Sequence, residues 1–314
     1  MASDETRFQA FLDQHDDDAW AQVVGQLLPA IHPVDQAATR VWFAFFPLRL
    51  HRALSAAADP ARAAREMLLE GKYRLAEQAD TSAEFLYGHR HWPEVKRAVA
   101  DYAAAPGPKP PALADQIREV ARQTAERLRV EPGLLLGITA VAFMTRQQVG
   151  PETFGQPAAP GARWAKSPAQ VVRDRARDDS QGVFGFLKTI DREYTVTFRE
   201  TEPQGAFRLV NRQHLTTAAA RDKRDYQARD PRCIEGPIPV ECRSGSCGSC
   251  WVGVLSDTAK LSEPGEREIT RMKECGYAGF TPERGSLIRL ACQTQGHGNV
   301  TVVIPPWNGV IGKL

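Results

Sequence analysis

The first half of the chain has the apolar spacing of amphipathic helices. Apolar residues recur every three or four positions over residues 8–12, 20–28 and 111–130, and in the last of these the charged side chains fall largely on the opposite face. This spacing matches the 3.6 residues of an α-helical turn. Residues 133–144 are almost entirely apolar, which predicts a helix buried in a core. The pattern therefore predicts an all-α domain over residues 1–149.

The second half changes to the pattern of short β-strands. Residues 194–199 alternate in the period of two that is typical of a strand, and residues 207–210 and 250–255 form further short strand-like runs, with a short helix between them over residues 215–220. Proline and glycine are frequent between the halves, which predicts a linker or extended arm over residues 150–188, with a charged, solvent-exposed helix over residues 168–177. The remaining residues, 189–314, are predicted to form a second domain.

Four cysteines carry the candidate chemistry of the second domain. Cys242, Cys247 and Cys250 have the spacing Cys-x4-Cys-x2-Cys, and Cys292 follows at a distance. This is the spacing of a thiolate cage for a 2Fe-2S cluster. A short loop must deliver sulfur to tetrahedral iron from different directions, so it needs small and flexible residues. The sequence predicts one 2Fe-2S cluster with these four cysteines as its ligands.

Small residues between the cysteines favour such a loop. Gly245 and Gly248 can adopt the positive φ angles of a tight turn, and the small side chain of Ser244 lets amide N–H groups approach sulfur, where they help to set the reduction potential. Together with Arg243, these residues are predicted to surround the cluster.

Two alternatives concern the metal and the fourth ligand. Zinc sites with four cysteines usually have two short Cys-x2-4-Cys pairs, whereas this chain has one such pair. Cys275 competes with Cys292 as the fourth ligand, but it lies in a polar stretch, whereas apolar residues flank Cys292. Cys275 and Cys233 are predicted to be structural thiols, with a redox role left open for Cys233.

From about residue 193 onward, these motifs resemble the plant-type 2Fe-2S ferredoxin domain, whose fold is a β-grasp. Residues 194–199 and 207–210 resemble its opening hairpin, residues 287–293 its fourth-ligand segment, and residues 300–304 its last strand. The resemblance implies an α+β protein, in which an N-terminal all-α domain precedes a C-terminal β-grasp 2Fe-2S ferredoxin-like domain. It does not extend to the N-terminal half.

A cluster held by four thiolates has no open coordination position, so its chemistry is the transfer of single electrons. The chain is therefore predicted to be an electron carrier more than a stand-alone enzyme, as a ferredoxin-type subunit or dedicated partner of a larger oxidoreductase. Arg243 and Trp251, which adjoin ligands, are candidates for the electron-exit surface. The alternative is a redox-sensing, oxygen-sensing or assembly protein whose helical domain binds a target. A flavin reductase is disfavoured, because the chain has no Gly-x-Gly-x-x-Gly motif.

The charge balance narrows the class of partner. Residues 191–314 contain 17 Lys and Arg against 15 Asp and Glu, whereas freely diffusing ferredoxins of this family are typically strongly acidic. Near-neutrality therefore favours docking to a redox partner over long-range electrostatic steering. No basic patch with interleaved aromatic residues predicts nucleic-acid binding. No stretch is long and apolar enough to predict a transmembrane segment, and no secretory signal is visible, so a cytoplasmic location is expected.

His89 and His91 form a His-x-His pair among aromatic residues, which raises the question of a second metal or a haem. No partner ligands at suitable spacing lie nearby, and the Cys-x2-Cys-His motif of haem attachment is absent from the sequence. An aromatic turn with hydrogen-bonded histidines is the favoured prediction.

Overall fold

A computed structural model of the protein describes residues 4–105, 112–177, 192–277 and 286–308. The chain divides into two compact units. The first consists of Met1–Ala56 and Arg74–Pro168, and the second of Ala57–Tyr73 and Ala169–Leu314. The first unit is helical, whereas the second contains a mixed β-sheet. The predicted α+β class is therefore confirmed.

Eight helices lie in the described residues before position 155. They are α1 (Asp4–Asp13), α2 (Asp17–Leu27), α3 (Pro33–Phe45), α4 (Leu48–Ala56), α5 (Pro60–Glu66), α6 (Trp92–Ala104), α7 (Leu113–Leu128) and α8 (Pro132–Phe154). All except α5 belong to the first unit. Helix α8 is its centre and packs against α1, α3, α6 and α7. Its residues from Leu135 to Gln148 are all buried, which confirms the predicted core helix.

Prolines and side-chain caps fix where several of these helices begin. The Asp16 carboxylate accepts the Ala19 N–H at the start of α2, and α3 and α8 each begin with a proline, whose missing N–H costs nothing at that position. Helix α8 is interrupted at Gly150, whose φ of 77° is not helical. Among the described residues, no helix combines the length and hydrophobicity that crossing a membrane requires.

Buried polar side chains tie the helical unit together. The Gln147 side chain accepts the Trp20 indole N–H at 2.6 Å and donates to the Leu12 carbonyl at 2.7 Å. The Asp35 carboxylate, which is wholly buried, accepts the N–H groups of Tyr87 and Gly88 at 2.6 and 2.7 Å. Because an unmade buried hydrogen bond is costly, these contacts specify how the helices fit together.

The start of the predicted linker packs within the helical unit. The Ala159 N–H donates to Asp80 Oδ2 at 2.9 Å, and the Trp164 ring lies 5.1 Å from that of Tyr87. The helix predicted over residues 168–177 is α9 (Pro168–Ala176), and it differs from the expected solvated helix because Val171 is buried. Residues 178–188 of the predicted linker lie outside the described residues, and the predicted boundaries at 149 and 188 stay a prediction.

The second unit is built on a five-stranded sheet. Its elements, with two short strands at the ends of the series, are β1 (Glu70–Gly71), β2 (Glu193–Thr197), β3 (Ala206–Val210), α10 (Leu215–Ala219), β4 (Trp251–Val254), α11 (Glu266–Glu274), β5 (Ile288–Leu290), β6 (Val300–Val303) and β7 (Trp307–Asn308). The sheet order is β3-β2-β6-β4-β5, in which β2 and β6 are parallel and the other neighbours antiparallel. Strands β2, β3, β4 and β6 and helix α10 lie where the sequence predicted them, and β5 lies in the segment that resembles the fourth-ligand segment.

A segment from upstream of the sheet completes the second unit. Strand β1 pairs antiparallel with β7, and the Lys72 N–H donates to the Pro306 carbonyl at 2.8 Å. The Arg232 guanidinium donates to Asn308 Oδ1 at 2.9 Å and to the Pro305 carbonyl at 2.8 Å. The predicted domains place residues 57–73 with the N-terminal helices, whereas their contacts place them with the sheet. Two-residue strands have no periodicity from which they could be predicted.

Gly71 gives a test of this contact. It has a φ of 94°, and a Cβ there would lie 2.5 Å from the Pro306 carbonyl oxygen. We expect Gly71→Ala to lower the free energy of unfolding by about 1–3 kcal/mol through backbone strain and steric overlap. The matched control is Gly25→Ala in α2, where no atom lies within 4 Å of the new Cβ, and an increase of up to about 1 kcal/mol is expected. Urea unfolding curves measure both, and equal effects would contradict the assignment.

Candidate functional site

The loop that carries three of the cysteines is wound by left-handed residues. Arg243, Gly245 and Gly248 have φ angles of 54°, 78° and 77°. Glycine adopts such angles without steric cost, whereas arginine rarely does. A Cβ on Gly245 would lie 3.0 Å from a side-chain carbon of Gln293, the residue after Cys292. The backbone of this loop therefore approaches the distant fourth-cysteine segment closely.

The four predicted ligands come together as two pairs. The Cys247 N–H donates to Cys242 Sγ at 3.4 Å, and the Cys292 N–H donates to Cys250 Sγ at 3.4 Å. Cys242 and Cys247 are partly exposed, whereas Cys250 and Cys292 are 2% and 5% exposed. We call the first two the outer pair and the last two the inner pair. Two pairs of sulfur atoms, each receiving an amide hydrogen bond, suit a group that contains two metal ions.

Serine hydroxyl groups add donors to the outer pair. Burial acts to raise the pKa of Cys242, but hydrogen bonds from Ser244, Ser246 and Cys247 lower it to about 5. The Ser249 hydroxyl oxygen accepts the Glu241 N–H and lies 3.1 Å from Cys247 Sγ, so its hydrogen is free to point at that sulfur. The sequence indicated only a small side chain for Ser244. The spacing of the serines between the cysteines was the available signal for a hydrogen-bonding role.

The side chains of the inner pair interact through a hydrogen bond. A hydrogen bond from the Cys250 thiol lowers the pKa of Cys292 to about 7 against the opposing effect of burial, and the Gln293 side chain contributes to the lowering. Conversely, the hydrogen bond with Cys292, followed by burial, raises the pKa of Cys250. Thiolate is the form that binds a metal. The site therefore already contains donors that stabilise negative sulfur.

Helix α11 holds the cysteine loop with two arginines. Arg267 Nη1 donates to the Ser244 carbonyl at 3.0 Å, and one turn later Arg271 Nη2 donates to the Cys247 carbonyl at 3.1 Å. Burial disfavours the charged form of Arg271, but Glu274 and the sulfurs of Cys275 and Cys247 raise its pKa overall. Sequence reasoning missed both arginines. Their spacing of four residues on one helix face could have indicated a common contact.

Helix α11 also contacts the segment before Cys292, through a buried carboxylate. Glu268 is 1% exposed and accepts two hydrogen bonds from the Arg289 guanidinium, at 2.9 and 3.0 Å. It also accepts the Leu290 N–H at 2.7 Å. Leu290 ends β5, two residues before Cys292. One helix therefore contacts both segments that carry the cysteines, and the sequence reasoning missed this network as well.

The remaining cysteines are buried thiols. Cys233 Sγ donates to the Pro237 carbonyl at 3.2 Å, and burial raises its pKa to about 12. Cys275 is wholly buried, and burial raises its pKa to about 11. Its sulfur lies 3.7 Å from the position of a Cβ on Gly248, so Cys275 adjoins the cysteine loop. All six cysteines of the chain are described, and all are free thiols.

Of the two candidates for the electron-exit surface, Trp251 is wrong because it is buried, whereas Arg243 is exposed. Trp251 is only 1% exposed, because it lies in β4, between β6 and β5, and packs edge-on against Tyr277 with 5.0 Å between ring centroids. The Arg243 side chain is 43% exposed and forms an ion pair with Glu235. The surface next to the outer pair is therefore formed by Arg243 and not by Trp251.

His89 uses both ring nitrogens in hydrogen bonds. Nδ1 accepts the Ala162 N–H at 3.1 Å, so Nε2 carries the proton and donates to the Asp80 carbonyl at 2.8 Å. The ring stacks on Trp92 with centroids 5.5 Å apart. Neither His89 nor His91 belongs to a group of three or more potential ligands for a metal ion within the described ranges. The predicted aromatic turn with hydrogen-bonded histidine is what the structure contains.

Comparison with known families agrees with this geometry. Residues 210–295 match the family model of the 2Fe-2S iron-sulfur cluster binding domain, and the match includes both cysteine pairs. No curated protein and no solved structure gave a match to the chain. The C-terminal part of the protein thus contains a ferredoxin-type domain that binds one 2Fe-2S cluster. Its general role is to transfer electrons to and from redox partners.

Removal of the Glu268 carboxylate should destabilise the cluster domain. We expect Glu268→Ala to lower the free energy of unfolding by about 3–5 kcal/mol, because it leaves the Arg289 charge buried without its partner. Glu268→Gln keeps the shape and an acceptor for the Leu290 N–H, so its effect should be smaller. Urea unfolding and iron content after purification measure the result. Glu266→Ala, at an exposed position of the same helix, is the control, and a comparable loss there would contradict the assignment.

The buried His89 should make stability dependent on pH. Burial lowers its pKa from 6.5 to about 4, so between these values the unfolded chain binds the proton more readily than the folded chain. Stability is therefore complete above pH 6.5 and falls as the pH drops toward 4, by up to about 3 kcal/mol from this group. His89→Gln should flatten that slope in urea unfolding measured at several pH values. An unchanged slope would show that other groups cause the pH dependence.

Proposed function

We propose that Cys242, Cys247, Cys250 and Cys292 are the four ligands of the cluster, and that the protein carries single electrons as a ferredoxin-type subunit or dedicated partner of a larger oxidoreductase. The observation that carries this proposal is the arrangement of the four sulfurs as two hydrogen-bonded pairs inside the matched domain. When bound, a 2Fe-2S cluster supplies reversible one-electron chemistry.

The residues around the cysteines have separable roles in this proposal. The N–H groups of Cys247 and Cys292 donate toward sulfur and stabilise its negative charge. Ser244 contributes a hydroxyl donor, while Gly245 and Gly248 supply the positive φ angles that wrap the loop. The buried inner pair is kept from water. The outer pair, beside exposed Arg243, is the side at which a partner would exchange electrons.

The helical N-terminal domain would dock the protein to its partner, while the cluster domain, proposed as residues 189–314, would exchange the electron. The near-neutral charge of the cluster domain supports docking, since it offers little long-range field to guide a diffusing carrier. A cluster that is assembled on reduced thiolates supports a reducing compartment such as the cytoplasm. Electron donor and acceptor are proposed to be other redox proteins.

Cysteine substitutions test the ligand set. We expect Cys292→Ser to abolish or strongly alter the visible spectrum and the iron and sulfide content of anaerobically purified protein, because one iron loses a thiolate. Cys275→Ser and Cys233→Ser are the matched controls, since both are buried thiols of the same unit, and their spectra should stay nearly unchanged. The reverse outcome, with loss of the spectrum in Cys275→Ser alone, would show that Cys275 is the fourth ligand.

A second measurement tests electron transfer. Protein with an intact cluster should be reduced reversibly by dithionite, with one electron per chain, and should co-purify from its host with an oxidoreductase. Cluster loss in air, coupled to a large change in the binding of a target by the helical domain, would instead support a redox- or oxygen-sensing function.

A further inference from the structure

Arg271 is a charged side chain of α11 that contacts the cysteine loop at Cys247. Its side chain is 17% exposed, and Nη2 donates to the Cys247 carbonyl at 3.1 Å. The Nε atom lies 3.5 Å from the position of a Cβ on Gly248. That atom is buried and has no hydrogen-bond partner among the described residues. The guanidinium thus lies against the Cys247–Gly248 peptide, beside one sulfur of the outer pair.

The charge of this guanidinium has a defined electrostatic effect on the site. Arginine stays protonated under all ordinary conditions, so its charge is permanent. Because the side chain is largely buried, salt screens that charge much less than it screens an exposed one. Reduction adds one electron, supplied by the reductant, and no bond to the protein forms or breaks. The four-thiolate site becomes one charge unit more negative, which a nearby positive charge stabilises.

Glu274 opposes part of this effect. Its Oε2 accepts a hydrogen bond from Arg271 Nη1 at 2.8 Å, and its side chain is 52% exposed. The Glu274 carboxylate lies closer to solvent than Arg271 Nη2, which donates to the Cys247 carbonyl. The pair therefore presents its positive end to the cysteine loop and its negative end to water.

We propose that Arg271 is a positioning residue that raises the reduction potential of the cluster by holding a buried positive charge against the Cys247–Gly248 peptide, with Glu274 partly offsetting it. The proposal rests on the proposed ligand set. It assigns to Arg271 an electrostatic role toward the cluster in addition to its contact with the loop.

Anaerobic redox titration with dithionite, followed by visible absorbance and by the electron paramagnetic resonance signal of the reduced cluster, tests the proposal in the full-length protein. Arg271→Gln removes the charge and keeps a hydrogen-bond donor for the Cys247 carbonyl. We expect the equilibrium constant for reduction to fall about threefold to tenfold, where tenfold corresponds to about 59 mV for one electron. Arg271→Lys keeps the charge and should restore most of the potential.

Two matched variants separate electrostatics from folding. Glu274→Gln leaves the guanidinium in place and should shift the potential in the positive direction, opposite to Arg271→Gln. Arg267→Gln makes the same charge change four residues earlier, on an exposed side chain that also contacts the loop, and should give a smaller shift that salt reduces further. A purely structural role would instead lower cluster content in these variants without shifts of opposite sign.

The outcomes distinguish this inference from the proposed function. If Arg271→Gln binds the cluster and has the same reduction potential as the wild-type protein, the inference is overturned and the proposed function stays intact. If Arg271→Gln fails to load, an unchanged or more negative potential in Glu274→Gln overturns the inference equally. Wild-type protein that contains no iron and sulfide, in contrast, would contradict the proposed function itself.

Discussion

The arrangement of the cluster domain depends on the buried carboxylate of Glu268. This one side chain joins α11 to Arg289 and to the end of β5, close to Cys292. The same helix contacts the cysteine loop through Arg267 and Arg271. Helix α11 therefore contacts both segments that carry the cysteines, although 41 residues separate Cys250 from Cys292 in the sequence. A site built from distant segments keeps its geometry only when such supporting contacts fix both of them.

The cysteines are surrounded by groups that favour negative charge. Backbone N–H groups, serine hydroxyls and the Gln293 amide all donate toward sulfur. Two arginines approach the same loop from α11. Hydrogen bonds to charged groups are stronger than neutral ones, so these donors gain most when the sulfurs carry full negative charge. Burial raises the pKa values of Cys233 and Cys275, whereas hydrogen bonds to sulfur lower those of Cys242 and Cys292.

The elements that could be predicted from the sequence are those with a local sequence pattern. The spacing of three cysteines, the alternation over residues 194–199 and the apolar run over residues 133–144 each reflect one loop, one strand or one helix. Contacts between distant residues were not predictable in this way. Glu268 lies in a highly charged helix, which favours an exposed position, and only its meeting with Arg289 explains its burial. Trp251 was expected at the surface because its neighbour is a ligand, but its place in the sheet buries it.

Two further features escaped prediction for similar reasons. Proline and glycine over residues 150–168 favour a linker, yet the N–H groups of Ala159 and Ala162 donate to Asp80 and His89 and keep this stretch on the helical unit. Strand β1 is too short to show a period, and its partner lies far away in the chain. Burial and partners set by tertiary contacts override local propensity in each case.

The pairing of β1 with β7 has a consequence for biosynthesis. Domains generally fold as they leave the ribosome, beginning with the N-terminal parts. Residues 70 and 71 emerge early, but they cannot find their partner until residues 307 and 308 have been translated. The helices of the first unit can pack long before that moment. Closure of the cluster-binding unit therefore waits until residues 307 and 308 have been translated, and a nascent chain truncated before them would leave this strand without a partner.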